Sequence, residues 1–165
     1  MDLLTANYAF VTIWRIEAPL PEVWEAIYHS ERWPEWWRGV ESVIELERGD
    51  NGGIGNKRRY TWKGVLPYRL TFDIRTTRIE HERLLEGAAS GDLVGNGVWY
   101  FSHHDGVTLV RYEWRVRTTK GWMNVLVPLA RPLFHWNHGK VMGWGGMGLA
   151  RRLGSRLCGV GSGVA

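Results

Sequence analysis

Apolar and polar positions alternate with period two over most of this chain and switch to helical spacing near both ends. Tyr8 to Glu17 (YAFVTIWRIE) is β-branched and aromatic, which predicts a strand that Pro19 and Pro21 end. In PEVWEAIYHS, Val23, Trp24, Ile27 and Tyr28 share one helical face, and Pro21 suits the first turn. Ser30 is placed to cap a second short helix running through Trp37. Val40 to Glu47 alternates again. In Asn56 to Lys63, Arg58, Tyr60 and Trp62 share one face, while Lys57, Arg59, Thr61 and Lys63 share the other. Tyr68 to Ile79 repeats the pattern, with Tyr68, Leu70, Phe72 and Ile74 on the apolar side. Arg83 to Ser90 is a weaker strand.

Asp105-Gly106 lies between two alternating runs and predicts a two-residue hairpin turn. The register follows: His104 pairs with Val107, His103 with Thr108, Phe101 with Val110, Trp99 with Tyr112 and Gly97 with Trp114. These pairs share an aromatic face. Tyr100–Arg111, Val98–Glu113 and Asn96–Arg115 form a mostly polar one, as expected of a sheet covered on one side. Gly95 and Gly97 leave room opposite Val116 and Trp114, for rings or for a ligand. The last element is a helix from about Leu129 to Leu153. Phe134, His138, Val141, Met142, Gly145, Leu149 and Leu153 form its inward stripe. Glycines 139, 143, 145, 146 and 148 lie within it, each costing about 1 kcal/mol against Ala, so packing must stabilise the helix.

The elements predict an α+β domain over residues 1–153, with seven antiparallel strands, two short helices after the first strand and one long C-terminal helix. Residues 154–165, rich in Gly and Ser, are expected to be a flexible tail.

Composition sharpens this in one respect. There are eleven Trp among 165 residues, which implies a thick aromatic core or an apolar cavity lined by rings. The net charge of +4 is spread along the chain, and the densest run, Lys57-Arg58-Arg59, is too short for a basic arm, so no nucleic-acid partner is expected. The single cysteine, Cys158, excludes an intrachain disulfide. MDLLTANYAF has no basic n-region, and no apolar run reaches membrane-spanning length. A cytoplasmic protein is expected.

The order of elements resembles the START-like, helix-grip superfamily (SRPBCC), which includes polyketide cyclases/dehydrases, lipid-transfer domains and plant pathogenesis-related proteins. The residues carrying the resemblance are APLPEVWEAIYHSERWPEWWRGV (18–40), the Gly-rich loop, GDLVGNGVWYF (91–101), the Asp-Gly hairpin and HWNHGKVMGWGGMGLARRL (135–153). The opening helix pair and the final helix are most similar to the bacterial polyketide cyclase/dehydrase and lipid-transport branch. The resemblance implies a curved sheet wrapped around the C-terminal helix, with an apolar cavity between them.

The loop GDNGGIGNK (49–57) invites comparison with phosphate-binding loops. It lacks the spacing and the Ser or Thr of a Walker loop, Arg58 stands where a dinucleotide fingerprint needs its third Gly, and a strand follows rather than a helix. It is therefore read as a structural turn, and no cofactor is expected. His135 and His138 have helical spacing suited to one metal, but no third ligand lies near them, so no metal is expected. His138 is either a core histidine or a polar anchor or acid/base in the cavity. Arg58, if inward, would bind a carboxylate or polarise a carbonyl. The catalytic candidates are His138, Arg58 and Tyr60. The expected ligand-binding residues are Tyr60, Trp62, Phe72, Trp99, Phe101, Tyr112, Trp114, Phe134, His138 and Met142.

Two functions follow from this reading. The first is binding of a hydrophobic small molecule, a lipid or an aromatic, polyketide-like metabolite. The alternative is a polyketide cyclase/dehydratase-like enzyme that acts on a chain folded in the cavity. Transient membrane-surface contact through Trp33, Trp36 and Trp37 is a further expectation.

Overall fold

Period-two alternation resolves into one antiparallel sheet in the computed structural model, which describes residues 7–164. The chain runs β1 (Asn7–Ile16), α1 (Leu20–Tyr28), a 3-10 helix (Ser30–Glu35), β2 (Val40–Glu47), β3 (Lys57–Trp62), β4 (Leu70–Glu80) and β5 (Leu84–Gly91). It continues through β6 (Leu93–His104), β7 (Val107–Thr118), α2 (Gly121–Arg152) and β8 (Leu157–Val164). The sheet order is β2-β3-β4-β5-β6-β7-β1-β8. Its inner face closes on α2, giving the α+β helix-grip architecture expected above. Among the described residues, no helix is long and apolar enough to cross a membrane. The expectation for the first six residues lies outside the described residues.

The hairpin register is the predicted one, from His104↔Val107 to Asn96↔Arg115. Asp105 and Gly106 have φ of 50° and 77°, the positive values that a two-residue type I′ turn requires. Trp99, Phe101, Val110, Tyr112 and Trp114 are buried on one face, while Tyr100, Arg111 and Arg115 are exposed on the other.

Four expectations need correction. The sheet has eight strands rather than seven, because most of the predicted tail pairs with β1 as β8, from Phe10↔Val164 to Ile16↔Leu157. Its sequence LCGVGSGV has Gly at alternate positions and no apolar face to detect; its order comes from the hydrogen-bonding edge that β1 presents. Second, α2 begins at Gly121, ahead of Pro128 and Pro132, where sequence reading placed the start near Leu129. Third, Ser30 opens the 3-10 helix without capping it: its side chain is buried, and its Oγ lies 2.7 Å from the Tyr60 hydroxyl. Fourth, Trp33 and Trp37 are in the core at 5% and 1% exposure, and the indole N–H of the partly exposed Trp36 is buried. Trp33 and Trp37 therefore present no surface to a membrane.

Instead they build the junction between the sheet and α2. Trp37 packs against Trp14, Trp33 and Trp62 at centroid distances of 5.1, 4.9 and 5.0 Å. The Trp37 indole N–H donates to the Val141 carbonyl at 2.8 Å, and that of Trp14 to the Met142 carbonyl at 3.1 Å. Gly145, Gly146 and Gly148 of α2 face Trp37, Trp14 and Trp36, and a Cβ at Gly148 would overlap the Trp36 carbonyl oxygen. These glycines permit close backbone approach. Gly139 and Gly143 face open space.

Candidate functional site: an aromatic cavity between sheet and helix

Inward-facing side chains of β1 and β3 to β7, together with α2, enclose a cavity of about 210 Å³. A dry apolar cavity of about 150 Å³ holds benzene, so this one accepts a molecule somewhat larger than a single ring. All the predicted ligand-binding residues border it except Phe101. Phe101 instead packs edge-on against Trp24 of α1, with centroids 5.0 Å apart. It sits near the turn end of β6, where α1 covers the sheet. The rings that form the wall also touch one another. Trp99 stacks on Tyr112 at 3.9 Å, and Tyr60 on Phe72 at 5.9 Å.

The three catalytic candidates all border the cavity. Arg58 and Tyr60 meet through Ser30: Arg58 Nη1 donates to Ser30 Oγ at 3.0 Å and to the Tyr28 carbonyl at 3.2 Å. Arg58 Nη2 lies 3.1 Å from Glu31 and 3.8 Å from Glu45. Arg58 is thus mostly inward and paired, but its Nε–H is buried without a partner. His138 lies on α2, stacked on Phe10. It makes no side-chain hydrogen bond among the described residues. Burial pushes its pKa down to about 3, and His135 nearby pushes the same way.

Burial also raises the pKa of Tyr60, Tyr68 and Tyr112, Tyr68 to about 12. At neutral pH the phenols keep their protons and His138 is neutral. Arg58 and Glu86 also border the cavity. Besides the Arg58 Nε–H, two neutral donors in the wall have no protein partner: the Tyr8 hydroxyl and the Trp62 indole N–H. Buried donors of this kind are rare enough to point to a missing acceptor.

The Gly-rich loop closes one end as a turn between β2 and β3. The Asp50 carboxylate accepts from the backbone N–H groups of Gly52 and Ile54, both at 2.9 Å. The loop thus supplies its own anion where a phosphate would otherwise sit. Gly53 has φ of 90° and lies under the Tyr28 hydroxyl, where a Cβ would collide. No group of His, Cys, Asp and Glu suited to a metal occurs among the described residues.

Sequence reading missed Ser30, Tyr8 and Asn137. Asn137 Oδ1 accepts from the backbone N–H groups of Val65 and Leu66, at 2.7 and 3.1 Å, and its Nδ2 donates to the Tyr68 hydroxyl at 3.4 Å. It hangs the β3–β4 connection from α2 at the cavity rim. Its place between His135 and His138 was the available signal, but an isolated Asn beside an apolar stripe also fits a solvent-facing position.

Comparison with known structures places this geometry. No curated protein matches the sequence. The di-domain ARO/CYC BexL of the BE-7585A biosynthetic pathway is similar with TM-score 0.69 and 18% identity, over 93% of this chain and 52% of that one. The chain therefore spans about half the length of that di-domain protein. A START superfamily protein from Mycobacterium smegmatis matches with TM-score 0.70 and 12% identity, over 88% and 97% of the two chains. Zhui aromatase/cyclase from Streptomyces sp. R1128 matches with TM-score 0.66 and 14% identity, over 91% and 94%. At these identities the likeness establishes the fold. A family model described as polyketide cyclase / dehydrase and lipid transport matches residues 16–154. That match takes in all three helices and the cavity wall apart from Tyr8 and Phe10 of β1, and the chain belongs to this START-like family.

Proposed function

We propose that the protein binds a neutral, largely aromatic small molecule in the cavity between the sheet and α2. The observation that carries this reading is the pair of unpartnered neutral donors, Tyr8 Oη and Trp62 Nε1, in a wall lined largely by rings. A carbonyl- or hydroxyl-bearing ring system would meet both the apolar surface and the donors. Low charge in the wall favours a neutral ligand over a fatty acid, since a carboxylate would find only Arg58, already held by Glu31. Family membership and the aromatase/cyclase neighbours support a ligand of polyketide-like chemistry.

The test is mass spectrometry of an organic extract of the purified protein, followed by titration with a hydroxynaphthalene. Tyr8→Phe and Trp62→Phe should each weaken binding about fivefold, the worth of one hydrogen bond near 1 kcal/mol, and Tyr8→Phe should do so without lowering thermal stability. Unchanged affinity in both variants would overturn the reading.

Cyclisation of a bound polyketide-like chain is the second reading. It is favoured by the unpartnered Nε–H of Arg58 beside the Tyr60–Ser30 pair. A buried cationic donor would stabilise the enolate that forms when a carbonyl is polarised for ring closure. Arg58→Met should then abolish turnover and leave binding nearly intact. Equal loss of both would make Arg58 an anchor.

A further inference from the structure

The exposed face of the first half of α2 has no role in the cavity. Trp122, Val125, Leu126, Leu129, Leu133 and Trp136 are all exposed there, Leu129 at 89% and Val125 at 72%. At ~100° per residue they fall within roughly a third of the helix circumference. Their side chains form a continuous apolar strip opposite the stripe that enters the core. A tryptophan stands at each end. Lys140, one turn beyond Trp136 on the same line, closes the strip and lies over the Trp136 ring at 5.8 Å. Arg131 lies on the other side of the helix, donating to the Asn7 carbonyl and standing over the Tyr8 ring, and Lys120 pairs with Asp92. The whole of α2 contains no Asp or Glu.

We propose that this strip is a docking surface for an anionic lipid bilayer. An interfacial helix presents Leu and Trp to the acyl boundary and cations to the headgroups, and here the strip supplies the first and Lys140 the second. Charge favours a membrane over a second copy of the chain. A second α2 laid on the strip would offer Lys140 no carboxylate, whereas an anionic headgroup pairs with it. The position is also suited to exchange with the cavity. Trp122 packs edge-on against Tyr68 at 5.4 Å, and Tyr68 borders the cavity. Val65, in the same β3–β4 connection, is 49% exposed. A bilayer touching the strip therefore touches the cavity rim, and an apolar ligand dissolved in that bilayer has a route that avoids water.

The experiment is flotation of the purified protein with vesicles of phosphatidylcholine alone, and with vesicles containing roughly one-third phosphatidylglycerol. Binding to the anionic vesicles is expected, weakening in ~0.5 M salt. Leu129→Glu combined with Leu133→Glu should reduce binding at least ~tenfold, and Lys140→Ala about fivefold, as for one cation near an anionic surface. Ile44→Glu, an exposed apolar position on β2, should change nothing. Absence of binding to anionic vesicles overturns the proposal, as does equal binding by the Leu129/Leu133 variant and the parent. A dimer in sedimentation that the same variant dissociates, without vesicle binding, would assign the strip to a second copy and also overturn it. Flotation needs no cavity ligand, so failure here and failure of the ligand-binding reading are separate results.

Discussion

Phe10 of β1 and His138 of α2 lie ring on ring, with centroids 3.9 Å apart and planes 14° from parallel. The imidazole behaves as one more aromatic plate in the cavity wall, and its proton chemistry is suppressed. Folding holds its pKa at about 3, while in the unfolded chain it returns to near 6.5. The folded state therefore prefers the neutral ring. This contribution to stability is fully present above the unfolded pKa and declines as pH falls from about 6.5 toward 3.

Acid should therefore destabilise the protein before its carboxylates titrate. At pH near 5 the loss attributable to His138 is about 2 kcal/mol. His135, whose pKa burial also lowers, adds a smaller loss of the same sign. Thermal melts at pH 7 and pH 5 should show a drop that His138→Gln largely removes. An equal drop in the variant would mean that His138 is protonated as easily in the fold as in water.

The glycines of α2 separate into two kinds, and substitution should separate them too. Gly139→Ala and Gly143→Ala place a methyl in open space and should stabilise by about 0.5–1 kcal/mol through better helix propensity. Gly148→Ala drives a Cβ into the Trp36 carbonyl, and Gly145→Ala drives one into the Trp37 indole. Each should destabilise by about 3 kcal/mol, the upper range for overpacking. Denaturant melts of the four variants test this directly.

Asn137 is expected to control ligand exchange more than affinity. Its side chain pairs with three groups of the β3–β4 connection, at Val65, Leu66 and Tyr68. Asn137→Ala would leave two backbone N–H groups without their acceptor, at a cost of about 1–2 kcal/mol in stability. Stopped-flow release of a bound hydroxynaphthalene should be several-fold faster in the variant. An unchanged release rate would place the exit elsewhere.

What could be read from sequence was whatever local chemistry determines. The Asp105-Gly106 turn fixed one register, and alternation then sorted Trp99, Tyr112 and Trp114 inward from Arg111 and Arg115 outward. Arg58 followed Tyr60 and Trp62 to the inner face for the same reason. What was illegible depended on partners distant in the chain. β8 needs the free edge of β1, Ser30 needs the Tyr60 hydroxyl thirty residues away, and Phe101 shares the inward face of β6 but faces α1 beyond the cavity. The start of α2 was hidden by Pro128 and Pro132, which usually mark helix ends.

The two indole hydrogen bonds to Val141 and Met142, with the glycine contacts that follow them, make α2 a beam clamped at one end. From Val141 back to Trp122 is a lever of roughly 30 Å at 1.5 Å per residue. Pro128 and Pro132 bring no backbone N–H, so two rungs of the helix ladder are missing along the unclamped span. A tilt of ~5° about the clamp moves the tip by about 2.5 Å over that length, nearly the width of a water molecule. The fulcrum is aromatic and rigid, and the cavity rim lies along the arm. Leverage of this kind turns a small rotation at the tryptophan junction into an opening at the far end, at the expense of the Met123 and Phe134 contacts along the arm.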